Sequence, residues 1–134
     1  MNGPSLAVRL LTVGAGSALG GLARFGLAAL GGGVVAVFAA NLAGAFAVGL
    51  YAALTGPDGA LEAGPLQRLF VMPGLLAGLT SFSMFSLQAD LLLRESIMAS
   101  AVFVLASVSS WAAGVAAGDA LGQRVDGRLR RSRG

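Results

Sequence analysis

Four stretches of this 134-residue chain contain no Asp, Glu, Lys or Arg: residues 10–23, 25–57, 69–89 and 96–118. A helix needs about 20 apolar residues to cross a hydrocarbon core. The windows predict four spanning helices at about 6–30, 34–54, 67–93 and 95–121. Arg24 then lies near the far end of the first. Gly31-Gly32-Gly33 predicts the first turn, and Thr55-Gly56-Pro57-Asp58-Gly59 ends the second helix ahead of a loop reaching Pro65. With 56% apolar and 11% charged residues, the composition is that of a membrane protein. Arg9 followed by an apolar run has the outline of a signal peptide. The run is punctuated by glycine and ends at Arg24, and three more apolar segments follow, so it reads as a spanning helix.

Within the third window, residues 74–86 read Gly-Leu-Leu-Ala-Gly-Leu-Thr-Ser-Phe-Ser-Met-Phe-Ser. Glycines and hydroxyls at mid-span give a simple spanning helix nothing. Irregular backbone survives at membrane depth only where protein or a water-filled path covers it. The third helix is therefore expected to break mid-membrane, near residues 74–81, at an ion or substrate site.

The chain has no Cys, His or Lys. That removes disulfides, thiolate nucleophiles, Schiff-base chemistry, the commonest general base and the commonest metal ligand. There is no Glu-x-x-His, P-loop or Gly-x-Ser-x-Gly, and no enzyme or nucleic-acid binder is expected. No acid lies within a charge-free window, which argues against a proton-coupled carrier built on an intramembrane carboxylate.

All the positive charge is arginine, and five of the nine arginines lie in the last eleven residues (Arg124, Arg128, Arg130, Arg131, Arg133). Residues 1–122 read as the spanning body and 123–134 as a basic, frayed tail. Four helices return both termini to one side. In the body, Arg9 and Arg68 on one face balance Arg24 and Arg94 on the other. The tail tips that balance, placing both termini in the cytoplasm of a plasma-membrane protein in contact with lipid. Asp90, Arg94 and Glu95 read as an exposed loop, and Asp119 and Asp126 as partners of the tail.

Asn41 is the only Asn inside an apolar window, and a buried amide needs a partner in protein, water or ligand. Either it ties two helices together or it faces an ion path. Phe82 and Phe85, three apart, share a face if helix resumes there. Their positive ring edges can line an anion path, or the rings can simply fill a core. Ser81, Ser83 and Ser86 place hydroxyls nearby, and Ser107 shares a helical face with Phe103, Trp111 and Gly114. Arg24 either draws anions to a pore mouth or snorkels at the interface. Gly16-x-x-x-Gly20 and the set Ala40, Ala43, Gly44, Ala47 allow close helix approach, within the subunit or between subunits.

Three segments together resemble the Fluc (CrcB) family of fluoride channels: Gly20-Gly-Leu-Ala-Arg-Phe25, Asn41-Leu-Ala-Gly44 with Gly49 behind it, and residues 74–85 ending in Thr-Ser-Phe-Ser-Met-Phe. The resemblance covers almost the whole chain. It implies a passive, fluoride-selective export channel: an antiparallel, dual-topology-type dimer with two pores. It also implies a structural sodium ion at the dimer centre, held by the Ala77 and Thr80 carbonyls. Matched by position, Asn41, Phe82, Phe85, Ser83 and Ser107 line the fluoride pore and Arg24 its vestibule.

Several positions depart from the family pattern. Val37 stands where Thr is common, Met84 replaces a Thr, Gln88 a Glu, Phe103 a Tyr and Ala77 a Gly, and Trp111 replaces a small residue. The polar track is either drier here or completed by a partner subunit. A dual-topology homodimer needs balanced charge, so the basic bias also admits a heterodimer with a related chain of opposite bias. The competing readings are a small four-helix secondary transporter and a non-conducting structural membrane subunit.

Overall fold

The computed structural model describes residues 3–31, 33–57 and 59–132, and every regular element among them is helical. The order is α1 (Leu6–Leu30), α2 (Val34–Thr55), α3 (Pro65–Leu69), a π-helical stretch (Phe70–Leu76), α4 (Ala77–Leu79), α5 (Phe82–Glu95) and α6 (Ile97–Arg131). Four stretches are long and apolar enough to span a membrane: Leu6–Leu30, Val34–Thr55, Pro65–Glu95 and Ile97–Arg131. These match the four windows read from the sequence. Gly31 closes α1 and Gly33, at φ 82°, opens α2; only glycine takes that conformation without strain. Gly32 of that turn, Asp58 of the second, and Arg133 and Gly134 of the tail lie outside the described residues.

Burial runs opposite to that of a water-soluble protein. Buried side chains include Asn41, Thr55, Ser81, Ser100 and Ser107, while Leu11 (73% exposed), Phe25 (73%) and Leu105 (69%) face outward. Lipid tails are as apolar as leucine, so burial of apolar surface does not drive such helices together. Close packing and internal hydrogen bonds do.

Glycines supply the close packing, in two helix pairs. On α1, Gly16 and Gly20 meet the third span at Gly74 and Gly78. A Cβ on Gly16 would run into the Phe70 carbonyl, and one on Gly78 would lie 2.9 Å from Ser17 Cα. The Gly16-x-x-x-Gly20 motif thus packs within the subunit. The second pair is α2 with α6, the most extensive helix contact in the chain. Here Gly49 abuts the Val115 carbonyl, Gly118 the Phe46 carbonyl and Gly122 the Ala53 side chain, and a Cβ on Gly114 would lie 3.0 Å from Leu42 Cδ1. Of the expected small-residue set, Ala40 and Gly44 are buried in the subunit and Ala43 is exposed.

The third span is irregular. Pro73 lies in the π-helical stretch, where the Ala77 amide reaches back to the Met72 carbonyl. Proline has no N–H to donate and its ring crowds the carbonyl four residues earlier. The wider turn accommodates both defects. At Thr80 (ψ 155°) and Ser81 (φ −149°, ψ 107°) the backbone is extended, and helix resumes at Phe82 with Ser81 as its cap. The Ser81 Oγ accepts from the Met84 amide at 3.2 Å.

Among its described residues the tail is helical rather than frayed. Helix α6 continues across residue 122 to Arg131, and its 35 residues span about 52 Å, well beyond a hydrocarbon core of about 30 Å. Asp126 anchors the extension: its carboxylate accepts from the Ala60 amide of the α2–α3 loop and pairs with Arg130 at 2.8 Å. Asp119 accepts from Gln123 rather than from a tail arginine. Asp90, Arg94 and Glu95 are exposed as expected, but they form the last turn of α5 and not a loop.

Because Gly49 meets backbone of α6, which cannot step aside, Gly49→Val should cost at least the roughly 1–3 kcal/mol of overpacking. Gly26→Ala, with nothing within 4 Å, should stay within about 0.5 kcal/mol of the native chain. Thermal unfolding in detergent checks both.

Candidate functional site

The break in the third span leaves polar backbone to be satisfied, and Asn41 satisfies part of it. The Ser81 amide donates to Asn41 Oδ1 at 2.8 Å, and Asn41 Nδ2 donates to the Ser81 carbonyl at 3.3 Å. One side-chain amide thus serves both backbone groups of one residue, as a neighbouring strand would. Both residues are buried. The helix–helix tie considered for Asn41 is therefore present. One N–H of its amide remains beyond the bond to Ser81.

Removing Ser81 N–H from the helical ladder frees carbonyls upstream. The Ala77 carbonyl receives the Thr80 hydroxyl at 3.4 Å, and the Leu76 carbonyl takes both the Thr80 amide and hydroxyl, each at 3.1 Å. Gly44 makes room here, since a Cβ on it would strike the Thr80 methyl. Among the described residues no group of His, Cys, Asp and Glu could hold a metal ion. A cation at this break would be held by carbonyl oxygens alone, which suits a hard ion of low charge.

Ser81 caps α5, and α5 carries both phenylalanines. The rings of Phe82 and Phe85 are 5.5 Å apart and tilted by 48°, so they do share a face. Phe82 is exposed and Phe85 is buried. Phe85 packs on Phe103 at 5.4 Å and meets Trp111 edge-on at 4.8 Å and 69°. Ser107 lies between these two on α6, wholly buried. The sequence placed Trp111 on the Ser107 face and marked it as a departure from the family pattern, without giving it a role; the structure makes it part of the aromatic cluster. Its spacing of four from Ser107 and eight from Phe103 was the available signal.

Two recesses meet at this point. One, of about 730 Å³, is bordered by Arg24, Val37, Asn41, Ser81, Ser83 and Met84. The other, of about 390 Å³, is bordered by Asn41, Ala77, Thr80, Ser81, Phe82 and Trp111. Asn41 and Ser81 border both. The expected residues Arg24, Asn41, Ser83 and Phe82 thus lie along one line of concavities, and Phe85 and Ser107 stand behind it in the helix packing. Among the described residues, Arg24 is the only charged one bordering either recess. Ser83 Oγ is 3.2 Å from Ser81 Oγ. The larger recess is apolar where Val37 and Met84 replace hydroxyls.

A four-span helical chain with an extended break and a carboxylate-free polar line has the attributes of a membrane ion-pathway protein. Residues 11–119 match the family described as CrcB-like protein, Camphor Resistance (CrcB). The chain is 41% identical to fluoride-specific ion channel FluC 1 of Bradyrhizobium diazoefficiens, covering 98% of this chain and all of the relative. It is 41% identical to FluC 1 of Rhodopseudomonas palustris over 91% of this chain and 89% of that one. It is 44% identical to FluC of Methylobacterium nodulans over 80% and 90%. The chain belongs to the CrcB family.

Asn41→Ala should orphan the Ser81 amide and carbonyl together and cost about 1–3 kcal/mol. The check is thermal unfolding in detergent, with faster hydrogen exchange at the Ser81 amide as the local signature.

Proposed function

We propose that this chain is the subunit of a fluoride-selective channel that lets cytoplasmic fluoride leave the cell passively and so limits its toxicity. The observation that carries the reading is the pair of recesses joined at Asn41 and Ser81. Their polar lining is Asn41, Thr80, Ser81, Ser83 and Arg24 among apolar side chains, with no carboxylate among the described residues. Relatives named as fluoride-specific channels over nearly the full length support it. Taking even a carboxylate-sized anion into a low-dielectric medium costs on the order of 20 kcal/mol by an idealised estimate, and fluoride is smaller. Hydrogen-bond donors must replace its water. Asn41, Ser83, Ser107 and the edges of Phe82 and Phe85 offer donors without a fixed charge to trap the ion, and Arg24 raises anion concentration at the vestibule. Fluoride enters cells as neutral HF and dissociates inside. A negative membrane potential then drives the anion out, by about 2.3 kcal/mol per 100 mV.

The finer parts of the reading follow from the same features. The third span breaks mid-membrane at Thr80 and Ser81. Two antiparallel subunits enclose two pores, and a structural sodium ion lies between them on the Ala77 and Thr80 carbonyls, where it offsets their negative ends. The donor set suits such an ion. The termini are cytoplasmic, with residues 123–134 as a basic extension. The second subunit is either another copy or a related chain of opposite charge bias. Cross-linking of the tails separates the two, since a homodimer places them on opposite faces.

The purified chain in liposomes should release fluoride rapidly, as read by a fluoride electrode, and retain chloride. Phe82→Ile should cut that flux by roughly tenfold, the scale of one aromatic interaction of about 1.4 kcal/mol, and leave assembly unchanged on gel filtration. A well-folded chain with no fluoride flux would speak for a structural subunit or an obligate partner.

A further inference from the structure

Ser107 Oγ and Trp111 Nε1 are both buried within the chain and neither has a hydrogen-bond partner. They lie one turn apart on α6, and Ser107 is the most completely buried side chain, at 0% exposure. Its hydroxyl does not bond back to its own helix; instead its carbonyl receives the Ser110 hydroxyl at 2.8 Å. An indole N–H can only donate, and leaving it buried and unpaired is unfavourable. Buried orphans of this kind are normally met by water or a ligand.

The chain's own atoms cover both groups, so whatever completes them has to fit within the helix packing. What completes them is small. Its charge follows from the surroundings. Trp111 also borders the 390 Å³ recess with Asn41, Thr80, Ser81 and Phe82, and no Asp or Glu borders that recess. Phe85 meets the indole edge-on, 4.8 Å between centroids. N–H and O–H donors beside aromatic edges, with no carboxylate near, favour a small anion over a cation.

We propose that the Trp111 indole N–H is a fluoride donor, forming with the Ser107 hydroxyl an anion station behind the phenylalanine pair. It rests on the fluoride-channel reading and adds to it a residue that compensates for the hydroxyls replaced by Val37 and Met84. Fluoride fits the station better than chloride because it is the smaller ion and the stronger hydrogen-bond acceptor.

Trp111 is the chain's only tryptophan, so its fluorescence reports this one site. Sodium fluoride is titrated into the native chain in detergent at constant ionic strength, with sodium chloride as control. A saturable change in emission with fluoride and none with chloride is expected. In liposomes, Trp111→Phe keeps an aromatic ring but deletes the N–H together with the second ring of the indole. It should lower fluoride efflux by about tenfold or more, the scale of losing one hydrogen bond to a charged group. Flat emission with fluoride means that water alone completes the donors and overturns the proposal. Efflux from W111F equal to that of the native chain overturns it too. Should W111F fail to fold, the titration decides by itself. Should the native chain show no efflux, the channel reading fails, and a saturable fluoride response would still establish the station.

Discussion

The double hydrogen bond between the Asn41 amide and the Ser81 backbone is the contact on which the rest of the site depends. Without it, extended backbone at residues 80–81 would leave a donor and an acceptor without a partner in the protein at membrane depth, and continuous helix would be favoured. With it, the third span can stop and restart. Ser81 then caps α5, and the new helix direction sets Phe82 toward the surface and Phe85 onto α6. The same bond diverts the Ser81 amide from the helical ladder, which is why the Ala77 carbonyl keeps only the Thr80 hydroxyl. A single asparagine thereby sets the aromatic cluster and frees a carbonyl for other use.

The glycine contacts explain where that bond falls. They divide the bundle into two pairs, α1 with the irregular third span and α2 with α6. Each pair brings backbone against backbone at several glycines, Gly16, Gly20 and Gly78 in one and Gly49 and Gly118 in the other, which resists sliding. The pairs join each other through fewer contacts, one of them a buried polar tie: Asn41 to Ser81, Gly44 beneath the Thr80 methyl, and Phe85 on Phe103 and Trp111. The two recesses lie along this seam. Rigid halves meeting at a polar seam can hold donors at fixed separation while leaving space between them, which an ion path requires and a uniformly packed bundle does not provide.

The sequence disclosed the spans because charge is excluded from hydrocarbon, and helix α1 occupies 6–30 as its window predicted. Its glycines and hydroxyls at 74–86 pointed to an irregular third span, and that stretch holds the π-helical turn and the extended backbone at Thr80 and Ser81. It did not disclose the close approach of Gly114, Gly118 and Gly122 to α2, because a small residue is silent about which neighbour it admits. Nor could it choose between the two roles weighed for Asn41, since one side chain forms the helix tie and also borders both recesses. The tail misled for a definite reason. Runs of arginine repel one another in an isolated segment, but Asp126, held by the Ala60 amide, pairs with Arg130 and lets the helix continue. That tether joins residues 66 positions apart, beyond any local pattern.

The loss of hydroxyls at positions 37 and 84 bears on how such a path could still work. A fixed charge in the seam would bind an anion too well, because attraction grows as the dielectric falls, and conduction needs release as well as entry. Neutral donors avoid the trap only if several act together, each contributing a little. Removing two hydroxyls from the line therefore demands donors elsewhere, at similar strength and equally uncharged. An indole N–H meets that requirement: it donates, cannot accept, carries no charge, and brings an aromatic ring able to pack on Phe85. Bulk at position 111 is tolerated because Gly114, on the same face one turn on, keeps α2 and α6 close beyond it. An indole donor on α6 would thus supply, within the helix packing, what the drier wall around Val37 and Met84 does not.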